Sequence, residues 1–140
     1  MSLSFDDYAK KIEALGENMP AIFKQVAGRS AVHAQNLAVE LTDREKLVDT
    51  GAYRRNWNAE TVKDNKDYGV ALQNNMEYAS YLEEGHALRN GKRWNGRFVG
   101  KRALGETEAF ALIELQYEFD VAMTAKKYNI SKGEARKYYK

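Results

Sequence analysis

Asp49-Thr50-Gly51, inside the stretch Leu47-Val48-Asp49-Thr50-Gly51-Ala52, is the pattern that could carry chemistry most directly. A carboxylate on a Thr-Gly turn, set against its twin from a second copy, shares one proton with it and activates water. That is aspartic protease chemistry, and it needs the carboxylate presented from the end of an apolar strand. Here the preceding residues are Thr42-Asp43-Arg44-Glu45-Lys46, a charged helix end. Arg54 and Arg55 would also bring cations to a dyad that depends on one carboxyl staying protonated. Phe98-Val99-Gly100 offers the second element of such a fold, but no glycine-rich flap lies between the two. The competing reading is an Asx-type turn, in which Asp49 and Thr50 cap and Gly51 avoids a side-chain clash. The turn is favoured.

His33 and His86 have no ligand partners at metal spacing, and the chain has no cysteine. No metal, cofactor or disulfide is therefore expected. His33 falls along a long helical pattern as a half-buried surface residue. His86 follows a helix end, where the dipole mildly favours an imidazolium. With no Ser-His-Asp set and no phosphate-cradling loop, the sequence argues against an enzyme.

The remaining segment with chemical character is His86 to Gly105. It carries Arg89, Lys92, Arg93, Arg97, Lys101 and Arg102 among four glycines, Gly91, Gly96, Gly100 and Gly105, with no acid until Glu106. Tyr81 and Trp94 could stack bases there while the cations meet phosphates. The same residues suit a loop that orders on a protein partner, with Trp94 and Phe98 as aromatic anchors. A net charge of only +2 favours the protein partner and keeps nucleic acid as the alternative.

These segments need a scaffold, and 140 residues suffice for one domain with a real core. An apolar fraction of 44% and a charged fraction of 30% describe an ordinary soluble protein, and no apolar run approaches the ~20 residues of a membrane span. Phe5, Tyr8, Ile12 and Leu15 lie at helical spacing and Gly16 closes that piece. Asn18 and Pro20 then open a long amphipathic helix to about Lys46, with Ile22, Val26, Ala34, Leu37, Ala38 and Leu41 inward. Thr50 can cap a short turn through Arg54 or Arg55. Alternation over Trp57, Ala59 and Thr61, a polar cluster from Lys63 to Asp67, and alternation over Tyr68, Val70 and Leu72 predict a β-hairpin. A short helix over 78–84 follows, with Gly85 able to end it in the left-handed conformation. Residues 106–127 carry both strand-like and helix-like spacing. Length and composition favour helix, and it displays more apolar surface than one inward face needs, which points to a subunit contact. Ser131 and Glu134 stand at capping-box spacing. The expected fold is thus α+β: a long N-terminal helix on a small antiparallel sheet, a long basic Gly-rich loop, and a C-terminal helix. Residues 1–128 form one domain and 129–140 a basic tail or short helix.

Three pieces in order carry a resemblance. They are Val48-Asp49-Thr50-Gly51-Ala52-Tyr53-Arg54-Arg55-Asn56-Trp57, Tyr78-Ala79-Ser80-Tyr81-Leu82-Glu83-Glu84-Gly85-His86, and Trp94-Asn95-Gly96-Arg97-Phe98. Together they resemble the tail-completion, or head–tail joining, proteins of long-tailed bacteriophages, with relatives in defective prophages and phage-tail-like bacteriocins. The likeness covers roughly residues 5–105. Tyr53 stands where the family usually has an aliphatic residue, and the last 35 or so residues are unmatched. The resemblance implies a non-enzymatic subunit, assembled in the bacterial cytoplasm, about six copies of which close into a ring by a head-to-tail contact. The ring would sit at the tail or neck of the particle, between tail tube or tail terminator and head connector, with passing DNA a possible contact and no membrane. Within it Asp49, Thr50 and Gly51 would set the turn from helix to hairpin. Tyr78, Ala79 and Leu82 would pack the short helix on the sheet beside Gly85 and His86. Glu83 would pair with Arg54 or Arg55. Arg89, Arg93, Trp94, Gly96, Arg97 and Phe98 would lie on an assembly loop, a flexible arm ordered by its neighbour.

Overall fold

Small and apolar residues recurring every three or four positions wind Met19–Arg44 into helix α1, with Pro20 in its first turn where a missing N–H costs nothing. The computed structural model describes residues 19–47, 51–64 and 67–139. The expected helix over 5–15 with Gly16 and Asn18, the pair Asp49 and Thr50, and residues 65–66 of the hairpin turn lie outside them. Every residue expected inward on α1 is buried, from Ile22 and Val26 to Ala38 and Leu41. The helix stops two residues short of Lys46. That residue takes a left-handed φ of 56°, and Leu47 N–H turns back to the Thr42 carbonyl at 3.0 Å.

One helical turn, α2 (Ala52–Arg55), leads into β1 (Trp57–Asp64) and β2 (Asp67–Asn74). The strands pair antiparallel as expected, with Trp57 opposite Asn74 and Asp64 opposite Asp67. A two-stranded ribbon is marginal alone, and here its Trp57 end is fastened to α1. The Trp57 indole N–H donates to the Thr42 hydroxyl at 2.8 Å, and that hydroxyl donates to the Ala38 carbonyl at 2.7 Å. Gln35 on α1 accepts the Ala59 amide at 3.0 Å. Past Ala59 the residues of β1 are exposed, Thr61 among them. Thr42→Val keeps the volume but leaves the buried indole N–H without an acceptor. It should lower unfolding free energy by about 1–3 kcal/mol in urea titration.

After β2, α3 (Ala79–Glu84) runs directly into β3 (Gly85–Ala87), which pairs antiparallel with β4 (Arg93–Asn95). Helix α4 (Val99–Tyr128) follows. The expected long loop over 86–105 is therefore corrected: its first part is a small hairpin and its last part is already helix. Gly100 sits in the first turn of α4 and Gly105 in its interior, where a glycine costs about 1 kcal/mol relative to alanine. The ambiguous residues 113–121 are helical. Ala111, Leu115, Glu118 and Ala122 are buried at helical spacing, whereas Ile113, which alternation pairs with Leu115, is 68% exposed.

Helices α1 and α4 run antiparallel. Leu37, Ala38 and Leu41 meet Val99 and Ala103 at one end, and Ile22 and Val26 meet Ala111 and Leu115 at the other. Between these clusters the half-buried His33 stacks on Phe110, centroids 4.2 Å apart. Left-handed Asn129 ends α4, and α5 (Lys132–Arg136) folds back with Ser131 Oγ accepting the Glu134 amide at 3.1 Å. Arg29 from α1 (2.9 Å) and Arg136 from α5 (3.3 Å) both reach the buried Glu118 carboxylate of α4. Burying that carboxylate is tolerable only because it is so paired.

Candidate assembly site at the start of the second long helix

The residues singled out at 78–98 converge on one structural problem, the first turn of α4. Helix starts leave amides without intrahelical acceptors. Phe98, at the N-cap position, has a left-handed backbone (φ 49°) and supplies no side-chain cap. Glu83 reaches across from α3 instead. Its Oε1 accepts the Gly100 amide at 2.8 Å and its Oε2 the Lys101 amide at 2.9 Å. Its own backbone carbonyl accepts the Phe98 amide at 3.0 Å, and the Leu82 carbonyl accepts that of Arg97 at 2.9 Å. A carboxylate there also answers the positive end of the helix dipole. The expected pairing of Glu83 with Arg54 is thus corrected: Arg54 Nε is bound 2.8 Å from Asp43, which raises the guanidinium pKa, while Glu83 serves as a remote cap.

The clasp dictates its glycines. Gly85 has φ 90° and ψ 179°, a region essentially reserved for glycine and not the left-handed helical one expected. A Cβ at Gly85 would overlap the Trp94 carbonyl oxygen, and one at Gly96 the Glu83 carbonyl. Gly100 is a looser case, with Glu83 and the Trp57 ring 3.4 Å from a Cβ.

On the outer side of the clasp the aromatic rings form a tier. His86 lies between Tyr81 (centroids 5.4 Å apart) and Trp94 (5.6 Å), and the Arg97 guanidinium sits 4.9 Å from the Trp94 ring centre. Arg93 donates to the Glu84 carbonyl at 2.8 Å. The hairpin tip carries Arg89 and Lys92, both exposed, around Gly91 with φ 83°. Arg102 (2.8 Å) and Arg97 (3.6 Å) return to Glu45 just past α1. The Arg102 hydrogen bond, opposed by slight desolvation and helped by the charges of Arg102, Arg97 and Arg44, holds the Glu45 carboxyl below the usual carboxylate range. A depressed folded-state pKa contributes stability above the unfolded pKa and loses it as pH falls through the folded value. Glu45→Gln should therefore narrow the gap to wild type as pH drops below about 4, read as melting temperature against pH. Because the group is fully exposed, the difference should be small.

Inside the clasp, Tyr53 is buried, edge-on to Trp57 at 5.4 Å and 6.3 Å from the Tyr78 ring. Burial, with the Glu83 charge and Tyr78 adding to it, pushes its phenol well above the ordinary range. Ala79 and Leu82 pack on the same cluster, as expected of them, while Tyr78 is 38% exposed. An open groove of about 460 Å³ runs past Tyr53, Leu72, Ala79, Glu83, Lys101 and Leu104.

Gly51, left-handed at φ 84°, is itself the N-cap of α2, the position expected of Thr50. Asp49 and Thr50 lie outside the described residues. The protease reading nevertheless fails on its surroundings. A helix, not an apolar strand, leads toward Asp49, and Val99 and Gly100 open α4.

Comparison with known families now adds a decisive observation. The profile of the family described as "Bacteriophage HK97-gp10, putative tail-component" matches residues 6–85, more than half of the chain. This chain belongs to the HK97-gp10-like family. By that description the HK97-gp10-like chain is a phage tail component, associated with the virion. The matched span runs from before α1 through Glu83 to Gly85, and so includes the capping carboxylate but not the helix it caps. No curated protein and no solved structure shows a significant match.

Sequence reasoning missed three contributors. Glu45 read only as part of a charged helix end, and Thr42 gave no sign of the indole that it would receive. Glu118 was one acid among several along 106–120, and only folding brings Arg29 and Arg136 to it.

Proposed function

We propose that this chain is a non-enzymatic structural subunit that completes a phage or phage-like tail. About six copies close into a ring or collar that meets the tail tube or tail terminator on one side and the head connector on the other. Assembly takes place in the bacterial host, from which the ring passes into the particle neck. Membership of a tail-component family carries this reading. The clasp supports it: Glu83, Gly85 and Gly96, the polar and glycine positions that looked most functional, are used to hold two elements together. Exposed apolar side chains on several elements, among them Ile113, Tyr81 and Phe98, provide material for contacts with neighbours.

The test is reconstitution. Tails assembled without this chain are mixed with purified protein and heads, then counted as joined particles by negative-stain microscopy. Joining that depends on the added protein supports the proposal. Tails that join heads equally well without it sink the proposal.

A further inference from the structure

The sequence holds the dipeptide Asn-Gly twice, at Asn90-Gly91 and at Asn95-Gly96. This pair has a reaction of its own. Glycine has no Cβ to shield its amide nitrogen, so that nitrogen can reach the side-chain carbonyl carbon of the asparagine before it. Ring closure requires the peptide plane between the two residues to rotate until nitrogen and carbon meet. Both asparagines are exposed, so access to water does not separate them. What separates them is the cost of that rotation.

Asn95 is held. It ends β4 opposite Gly85, and its carbonyl accepts the Arg97 guanidinium at 3.2 Å. Gly96 lies so close to the Glu83 carbonyl that a Cβ there would overlap it. The next two amides, of Arg97 and Phe98, are tied to the Leu82 and Glu83 carbonyls. Turning the Asn95-Gly96 peptide would open the clasp that starts α4.

Asn90 is on the hairpin tip, where rotation disturbs little. Gly91 has a left-handed φ of 83°, and nothing lies within 4 Å of the place that a Cβ would take. The backbone bond to be broken runs from the Gly91 amide to the Leu88 carbonyl at 3.1 Å, on an exposed turn where water can replace it. Asn90 Oδ1 accepts the Lys92 amide at 3.0 Å, which polarises the carbon under attack. Arg89 and Lys92, both exposed beside it, favour the negative charge that develops on that oxygen.

We propose that Asn90 is a site of self-modification by deamidation, selected over Asn95 by the fold. The Gly91 amide nitrogen bonds to Asn90 Cγ and gives its proton to solvent. The Cγ–Nδ2 bond breaks, and ammonia leaves behind a cyclic imide. Water then opens the imide at one of its two carbonyls, leaving aspartate or isoaspartate at position 90, with no oxidant or reductant involved. The product sets a carboxylate between Arg89 and Lys92 and so offsets part of the tip's positive charge. In the isoaspartate form the main chain also gains a methylene, which dissolves the turn to the Lys92 amide. The cationic tip of this hairpin therefore has a chemical lifetime, whatever partner it meets, and the assignment does not depend on the tail reading.

The experiment follows both pairs in one chain. Purified protein is kept for several weeks in mildly alkaline buffer, folded in one series and unfolded in guanidinium chloride in the other. Cleavage after lysine places the two pairs on separate peptides, 67–92 and 93–101. Mass spectrometry reads the gain of about 1 Da, and fragmentation locates it within each peptide. In the folded chain Asn90 should convert at least about tenfold faster than Asn95, and in the unfolded chain the two rates should agree within about threefold. Equal rates in the folded chain, or a faster Asn95, overturn the proposal. An intact Asn90 in the folded chain, over a period in which the unfolded chain converts, also overturns it. So does a tenfold preference for Asn90 that persists in guanidinium chloride, because flanking sequence and not the fold would then select the site.

Discussion

Gly85→Ala should lower unfolding free energy by at least about 3 kcal/mol. Two independent costs act at this position. The backbone sits at φ 90° and ψ 179°, where an L side chain is strained, and the added methyl would overlap the Trp94 carbonyl oxygen. The obstruction is backbone, held in place by the pairing of Gly85 with Asn95 and His86 with Trp94, so no rotamer change relieves it. Relief requires β3 and β4 to separate, which would also draw Gly96 away from the Glu83 carbonyl. The check is urea denaturation, with near-ultraviolet circular dichroism to follow Trp94 and Tyr81. A loss under about 1 kcal/mol would mean that the hairpin is not seated as described.

Glu83→Ala should cost about 2–4 kcal/mol, with Glu83→Gln roughly half of that. Hydrogen bonds to a charged acceptor contribute more than neutral ones, and this carboxylate receives two, from Gly100 and Lys101. The value stays well below that of a buried ion because Lys101 is exposed and water can serve its amide. Glutamine keeps one acceptor oxygen but turns an amide group toward the second N–H. A more specific readout is hydrogen exchange. Gly100 and Lys101 amides should exchange much faster in Glu83→Ala, while Ala111 and Leu115, deep in the helix pair, keep their protection. Uniform loss along α4 would indicate general destabilisation instead of a lost cap.

The parts of this fold that follow local periodicity were legible in the sequence. The inward face of α1 and the pairing of β1 with β2 depend on residues a few positions apart, and those were read correctly. The start of α4 was not. Its cap comes from Glu83, on a different element, so nothing near Val99 announces a helix, and Gly100 and Gly105 argue locally for a loop. The same contact decides what Glu83 does. A carboxylate beside a short helix, with two arginines elsewhere in the chain, looks like half of an ion pair until the fold brings two amides to it. The strand-like alternation over Ile113, Leu115, Tyr117 and Phe119 left that segment ambiguous, although length and composition favoured the helix that forms, because the outward stripe of α4 carries an apolar residue at Ile113. That residue obscures the helical period.

The central claim, that this HK97-gp10-like chain works as a ring-forming tail subunit, is tested most directly by mass. Light scattering across a concentration series, with and without purified tail tubes, would be paired with negative-stain images of the same fractions. The expected result is closed rings of about six copies, either at high concentration or on the ends of added tubes. A tight dimer, or a monomer that ignores tubes at every concentration, would contradict it.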